Sequence, residues 1–111
     1  MQSLTGGLTP ADFEDSAARG GIHRCVLAGG DLVGIVNVTW NWELIVAIVP
    51  SHRRRGVAGE ACRQAMREAC ARSTSPIWAK ARTGSSGDFL ARSLGFVESR
   101  RTADETFFTS P

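Results

Sequence analysis

Apolar and polar positions in the first half of the chain predict three β-strands. The runs His23–Ala28 and Leu32–Trp40 are rich in β-branched residues, and Gly29-Gly30-Asp31 between them supplies a turn. The run Glu43–Val49 is apolar at nearly every position, as expected for a central strand covered on both faces. Two hairpins in succession predict an antiparallel meander.

The clearest helical pattern runs from Val57 to Arg72. Small apolar residues form one stripe of this segment, whereas most of its charged residues point away from that stripe. Because the striped side chains are small, we expect the helix to lie close to the sheet. The stripe consists of Ala58, Ala61, Cys62, Ala65, Met66, Ala69 and Cys70.

The remaining pattern predicts four further elements and an N-terminal helix. Met1–Leu8 has an irregular pattern, and Pro10–Arg19 follows a Thr9 cap as a helix. The later elements are a strand at Pro76–Arg82, a helix at Asp88–Leu94 closed by Gly95, and a hairpin of Phe96–Arg101 with Thr106–Thr109.

These elements predict an α/β (α+β) fold with a mixed, mostly antiparallel sheet of about five to six strands and two to three flanking helices. We expect residues 1–111 to form one domain, with a variable N-terminal helix in 1–21 and the core in 22–111.

Composition narrows the function classes. The 111 residues are 42% hydrophobic and 22% charged, as in an ordinary globular protein. The formal net charge is only +2, which argues against a bulk polyanion such as nucleic acid as the partner. The three cysteines show no metal-ligand spacing and are interpreted as core residues in a reducing compartment. With no secretory signal and no apolar run near the ~20 residues of a membrane span, we expect a cytoplasmic protein that binds neither metal nor membrane.

Three arginines, Arg53, Arg54 and Arg55, stand between the apolar strand and the long helix. A helix start carries partial positive charge and unpaired N–H groups, so acidic or capping residues are usual there. Arginines fit this position if an anion such as a phosphate binds among them, and a diphosphate suits several donors best. The alternatives are a solvated loop and a nucleic-acid contact.

The small residues of the turn after the arginines leave space for a ligand to bind. Gly56 can adopt a positive φ, and Ala58 and Gly59 leave room for a ligand near the backbone. The Walker A pattern and the dinucleotide-binding fingerprint are both absent, which argues against those two phosphate sites.

Arg53-Arg54-Arg55-Gly56-Val57-Ala58 resembles the [Q/R]-x-x-G-x-[G/A] motif of the GNAT superfamily, the acyl-CoA-dependent N-acyltransferases. Leu94-Gly95-Phe96, at the end of a short helix, is similar to the family's second motif. The similarity extends from about His23 to the C-terminus and includes the strand order. It implies transfer of an acetyl group from acetyl-CoA to an amine by direct attack.

The resemblance also implies positions for the cofactor. The strand residues Val46, Ala47 and Ile48 would bind its pantetheine arm, and a bulge would splay this strand from Ile77–Arg82. The pyrophosphate would be held by Arg53, Arg54, Arg55, Gly56, Val57, Ala58 and Gly59.

The chain departs from the family where relatives have catalytic residues. Ala91 stands where many relatives carry a tyrosine that protonates the departing thiolate, and Gly84 stands where an asparagine is common. The chain has no tyrosine. Glu43 opens the strand where relatives often place a base, although alternation puts it on the face opposite Ile48. The alternative function is therefore an inactive CoA-binding sensor or interaction module.

The family's usual first strand and first helix are missing from the predicted pattern. Their loss would have one of two consequences. Either the acceptor side is open and takes a small-molecule or peptide amine, or a second subunit completes it in a homodimer.

Overall fold

The first sheet is built on the predicted meander. The computed structural model describes residues 2–3, 21–53 and 55–110. Its first four strands are β1 (Gln2–Ser3), β2 (Ile22–Ala28), β3 (Asp31–Val38) and β4 (Leu44–Ile48), and they lie in the order β1-β4-β3-β2. Because β3 pairs antiparallel with β2 and β4, the meander is confirmed, with strand ends shifted by one or two residues.

Strand β1 was not predicted. Gln2 pairs with Ile48 and Ser3 pairs with Ala47, both antiparallel. The prediction of an irregular start is therefore wrong at these two residues, because a pair of residues is too short to show any periodicity. The predicted helix Pro10–Arg19 lies outside the described residues.

Two α-helices, a short 3-10 helix at Pro50–His52 and a second sheet make up the rest of the described residues. Helix α1 (Val57–Arg72) has the predicted bounds. Helix α2 (Ser86–Ser93) begins two residues before the prediction because the Ser85 hydroxyl accepts a hydrogen bond from the Asp88 amide and caps the helix. The second sheet has the order β5-β7-β6 and consists of β5 (Trp78–Arg82), β6 (Val97–Arg101) and β7 (Glu105–Thr109).

The predicted α/β (α+β) fold class is confirmed, with mostly antiparallel strands and helices beside them. The described chain contains seven strands in two sheets where one sheet of about five to six was expected. The additional strand is β1.

The core lies between α1 and one face of the first sheet and continues to buried residues of the second sheet and of α2. The cross-strand pairs Val36–Val46 and Val38–Leu44 are buried on this face together with the small residues of α1. Strands β3 and β4 approach closely at Gly34, where a Cβ atom would lie 2.3 Å from the Ala47 carbonyl oxygen. Glycine is required at this point because a side chain would push β4 out of register.

The cysteines differ in burial. Cys62 is fully buried under α1, as predicted, and this burial raises the pKa of its thiol to about 12. Cys25 and Cys70 are exposed, so the prediction of a core position is wrong for both. Cys25 lies on β2, which is the outermost strand at one side of the first sheet, and it lies on the face opposite α1. Cys70 lies at the margin of the helical stripe.

A polar pair lies on the sheet face opposite α1. His23 and Asn37 are cross-strand partners, and His23 Nδ1 lies 2.9 Å from Asn37 Oδ1.

No helix in the described part of the chain has the length and apolar character needed to cross a membrane. Among the same residues, no group of three or more His, Cys, Asp or Glu side chains is arranged to hold a metal ion.

Candidate functional site

A cleft of about 880 Å³ lies between the end of β4, the start of α1 and helix α2. Its α2 wall carries the apolar side chains of Phe89 and Leu90, and its α1 wall carries Arg53 and Arg63. None of the described residues that line the cleft is acidic. A positively charged cleft with one apolar wall suits a ligand that has both phosphates and an apolar arm.

Arg53 provides the most specific indication of an anion in this cleft. Its Nε donates a hydrogen bond to the Ile48 carbonyl oxygen at 3.1 Å, which fixes the guanidinium against the end of β4. Its second terminal nitrogen, Nη2, is buried and has no hydrogen-bond partner in the described part of the chain. A buried charged donor without a partner is costly, so this nitrogen is suited to an anionic oxygen.

The start of α1 supplies further donors. Gly56 is the N-cap, has φ 77°, and makes no side-chain capping bond, so its predicted positive φ is confirmed. The first intrahelical bond runs from the Glu60 amide to the Gly56 carbonyl oxygen at 3.1 Å. The amides of Val57, Ala58 and Gly59 therefore lack partners within the helix, and such a helix start attracts anions.

The backbone of β4 presents hydrogen-bonding groups to the cleft at every second residue. The Val49 amide donates to Val33 on β3 at 2.8 Å. By alternation, the amide groups of Ala47 also point to β3, whereas those of Val46 and Ile48 point the other way, toward the cleft. Of the three strand residues predicted to bind the cofactor, Val46 and Ile48 thus direct their backbone groups to the cleft side of β4, whereas Ala47 directs its groups to β3.

The two described arginines of the motif, Arg53 and Arg55, separate in space. Arg53 lines the cleft, Arg54 lies outside the described residues, and Arg55 is exposed and lines a second groove of about 520 Å³ between β2 and α1. Glu60 and Glu68 also line that groove, so its charge is mixed. Arg53 and Arg55 therefore lie in different grooves beside the start of α1.

Arg63 was missed by the sequence analysis. It lies one helical turn after Gly59, and a Cβ atom at Gly59 would lie 3.2 Å from the Arg63 Nη1 atom. Glycine therefore leaves space for the Arg63 guanidinium beside the start of α1. The signal was present in the sequence, because residues four apart lie on the same face of a helix.

Glu43 lies on the sheet face opposite α1, as alternation predicted. Its amide donates to the Thr39 hydroxyl oxygen at 3.1 Å, and its Oε2 atom is buried without a partner among the described residues. Burial raises the pKa of the Glu43 carboxyl, an effect that Lys80 opposes and Glu105 reinforces. A carboxylate with a raised pKa and an unpartnered oxygen is suited to accepting a proton.

The two sheets meet beside Glu43 and then diverge. Glu43 and Trp78 form an isolated parallel bridge, and the Trp78 amide donates to the Trp42 carbonyl oxygen at 2.9 Å. No further pairing joins β4 to β5 in the described chain, which agrees with the splayed strands that the resemblance implied. The implied bulge in β4 is wrong, because its register with β3 is continuous from Leu44 to Ile48.

Position 91, where many relatives have a tyrosine as the general acid, holds an alanine and therefore no proton donor. Ala91 is buried in the core beneath α2. The nearby hydroxyls of Ser85 and Ser93 have local roles, since Ser85 caps α2 and Ser93 donates to the Leu90 carbonyl oxygen at 2.8 Å. We therefore assign no described side chain as the acid.

This arrangement defines a class of protein: an α+β fold in which splayed strands and a helix start enclose a basic cleft. The sequence model for the acetyltransferase (GNAT) family matches residues 5–96. The chain belongs to this family. No curated protein sequence is significantly similar to it.

Solved structures with the same fold include several acetyltransferases. A ribosomal-protein-S18-alanine N-acetyltransferase from Escherichia coli superposes with a TM-score of 0.75 at 16% identity, covering 99% of this chain and 81% of that one. A ribosomal-protein-alanine N-acetyltransferase from Brucella melitensis gives 0.75 at 19% identity, with coverages of 88% and 73%. A family member from Elizabethkingia anophelis with acetyl-CoA bound gives 0.71 at 13% identity, with coverages of 96% and 92%.

Proposed function

We propose that the chain transfers an acetyl group from acetyl-CoA to an amine. The observation that carries this proposal is the buried Nη2 atom of Arg53, which has no hydrogen-bond partner among the described residues. Arg53 lines a cleft next to the Gly56-capped start of α1, and none of the described lining residues is acidic. Family membership and the acetyl-CoA bound to the Elizabethkingia anophelis protein support the same ligand.

Each part of the cleft fits one part of this ligand. Arg53, Arg63 and the amides of Val57–Gly59 would hold the pyrophosphate. The cleft-facing backbone groups of Val46 and Ile48 would hydrogen-bond the amides of the pantetheine arm, and Phe89 would cover its apolar side. Arg54 and Arg55 remain predicted contacts of the motif, and the exposed position of Arg55 gives its side chain the smaller role.

The chemistry is divided between the ligand and the chain. Acetyl-CoA supplies an activated thioester. Glu43 would take a proton from the acceptor amine at the point where β4 and β5 begin to diverge, and its raised pKa suits it to exchange that proton. With no tyrosine in the chain, the proton for the departing thiolate would come from solvent.

The acceptor is an amine of a small molecule or a peptide. The Escherichia coli and Brucella melitensis proteins are named for the alanine of ribosomal proteins, which makes peptide N-termini the first acceptors to test. The homodimer, the cytoplasmic location and the single domain over residues 1–111 stay predictions.

Thiol release from acetyl-CoA tests the proposal directly. We expect release above the acetyl-CoA hydrolysis background with at least one acceptor from a panel of N-terminal peptides and small amines. Absence of coenzyme A binding at millimolar concentration would contradict it.

An inactive CoA-binding sensor is the second candidate. It is favoured by Ala91 and Gly84, which stand where relatives have a tyrosine and an asparagine. Tight coenzyme A binding without turnover on any acceptor would select this function over catalysis.

A further inference from the structure

Strand β1 occupies the edge of β4 that faces the cleft. Gln2 pairs with Ile48 and Ser3 with Ala47, on the side of β4 opposite β3. Strand β1 also contacts helix α2, so it lies between β4 and α2. By the alternation described above, Ile48 directs its N–H and C=O toward β1, and Gln2 is the residue that faces them.

The Ile48 backbone groups are among those assigned above to the pantetheine arm. The Ile48 carbonyl oxygen already accepts one hydrogen bond, from Arg53 Nε, and can accept a second. The Ile48 N–H is a single donor directed at one position, so the competition is for this group. We infer that the cleft-facing edge of β4 is a strand-addition site, held in the free chain by its own residues Gln2–Ser3, and that these residues compete with coenzyme A. This inference rests on the proposed function.

The pairing is short enough to be displaced. Two residues contribute at most a few hydrogen bonds, and the net contribution of each bond to stability is small. The covalent tether compensates in part, because it gives the segment a high effective concentration at the edge. A weak tethered competitor reduces the apparent affinity for coenzyme A without abolishing binding.

Strand addition of this type is recognised through the main chain. Side chains of the added segment contribute little unless pockets receive them. Removal of the backbone N–H of Gln2, which faces Ile48, should therefore matter, whereas a substitution that keeps this N–H should not. This difference supplies a matched pair of variants.

The test compares Gln2→Pro/Ser3→Pro with Gln2→Ala/Ser3→Ala in the full chain, with the first residue of each protein verified by mass spectrometry. Proline has no N–H and does not support strand pairing at this position. Calorimetry with coenzyme A should show about three- to tenfold tighter binding by the proline variant and an unchanged affinity for the alanine variant. ADP carries the diphosphate but no pantetheine arm, so its affinity should be equal in all three proteins.

Equal coenzyme A affinities for the proline variant and the parent would overturn the inference, as would an equal gain in ADP affinity. A gain that depends on protein concentration would place the competing segment on a second copy and would also overturn it. Failure of every protein to bind coenzyme A and ADP would instead refute the proposed function, and the competition with it.

Amide exchange at Ile48 provides a readout that does not need the ligand. In the parent and the alanine variant this amide should be protected, and in the proline variant it should exchange at least about tenfold faster. Equal exchange in all three proteins would show that β1 does not protect the edge and would contradict the inference.

Discussion

Glu43 and Trp78 form the bridge at which the two sheets of this protein meet. Glu43 ends the turn from β3 and Trp78 begins β5, so the bridge marks the apex from which the strands diverge. The Trp78 indole Nε1 donates to the Asn41 carbonyl oxygen at 3.0 Å and ties the two sides of the apex together. A carboxylate and an open gap between strands thereby come to lie side by side.

The first prediction concerns the protonation of Glu43. Its pKa is raised above the ordinary 4.5, so only above that raised value is the carboxylate the main form available to accept a proton. The rate of acetyl transfer should increase as the pH rises through this pKa. Glu43→Gln should remove that acidic limb and lower kcat by about 10²- to 10⁴-fold, as measured in a pH series of thiol release.

The stability of the Glu43→Gln variant provides a control for the prediction on the acetyl-transfer rate. The folded chain holds a proton on Glu43 to a higher pH than the unfolded chain does. The contribution of Glu43 to the free energy of unfolding should thus be largest below about pH 4.5 and decline as the pH rises through the raised pKa. Glutamine should abolish this decline, and a variant less stable than the parent at neutral pH would contradict the assigned burial penalty.

The second prediction separates the arginines. Arg53→Ala should weaken coenzyme A and ADP binding by about ten- to a hundredfold, because it removes charge-assisted bonds to the diphosphate. Arg55→Ala removes the same charge from an exposed side chain outside the cleft and should change both affinities by less than about threefold. Calorimetry with both ligands checks this pair, and equal losses would contradict the position of Arg53.

The third prediction concerns the turn into α1. A Cβ atom at Gly56 would meet nothing within 4 Å, so a substitution there is limited by the positive φ alone. Gly56→Val should lower the free energy of unfolding by about 1–2 kcal/mol and weaken coenzyme A binding, since valine disfavours this conformation. Gly56→Asn should cost much less because asparagine tolerates a positive φ. Similar losses for both variants would indicate a steric cause.

The fourth prediction concerns the opposite wall of the cleft. Asp88 Oδ2 accepts the Gly84 amide at 2.8 Å, and Oδ1 accepts Arg92 Nε at 2.6 Å. These bonds lower the pKa of Asp88 below its ordinary 3.8, and the bond from the Gly84 amide has the largest effect on the pKa. Asp88→Ala should lower the free energy of unfolding by about 2 kcal/mol at neutral pH.

The pH dependence and a control complete this prediction. Because the Asp88 pKa is lowered, the stability that its carboxylate contributes is present above about pH 3.8 and disappears as the pH falls through the folded pKa. Denaturation curves should therefore converge for parent and Asp88→Ala in strong acid. Asp104→Ala, in an exposed loop, should leave stability unchanged within about 0.5 kcal/mol.

The periodic elements could be predicted because they follow from local spacing. The stripe of small residues predicted α1 from Val57 to Arg72, and alternation placed Glu43 on the face opposite Ile48. The two exposed cysteines could not be predicted, because exposure at a strand edge or stripe margin depends on which elements lie next to them.

The candidate site shows the same division. Gly56 and the arginine motif could be found in the sequence because a turn into a helix restricts a few adjacent residues. The divergence of Arg53 and Arg55 could not, since it depends on how the turn orients α1 over the sheet. Arg63 and the buried Nη2 atom of Arg53 emerged only when the walls of the cleft were in place.

By itself the sequence determined the order of the elements, the face of α1 that is buried and the family motif at its start, because hydrophobic periodicity and backbone restriction act over a few residues. Only the tertiary structure decided that β4 and β5 part beyond Glu43 and Trp78, that Arg53 enters the cleft and that Gln2 pairs with Ile48. These are contacts between residues far apart in the chain, and they depend on the packing of whole elements against one another.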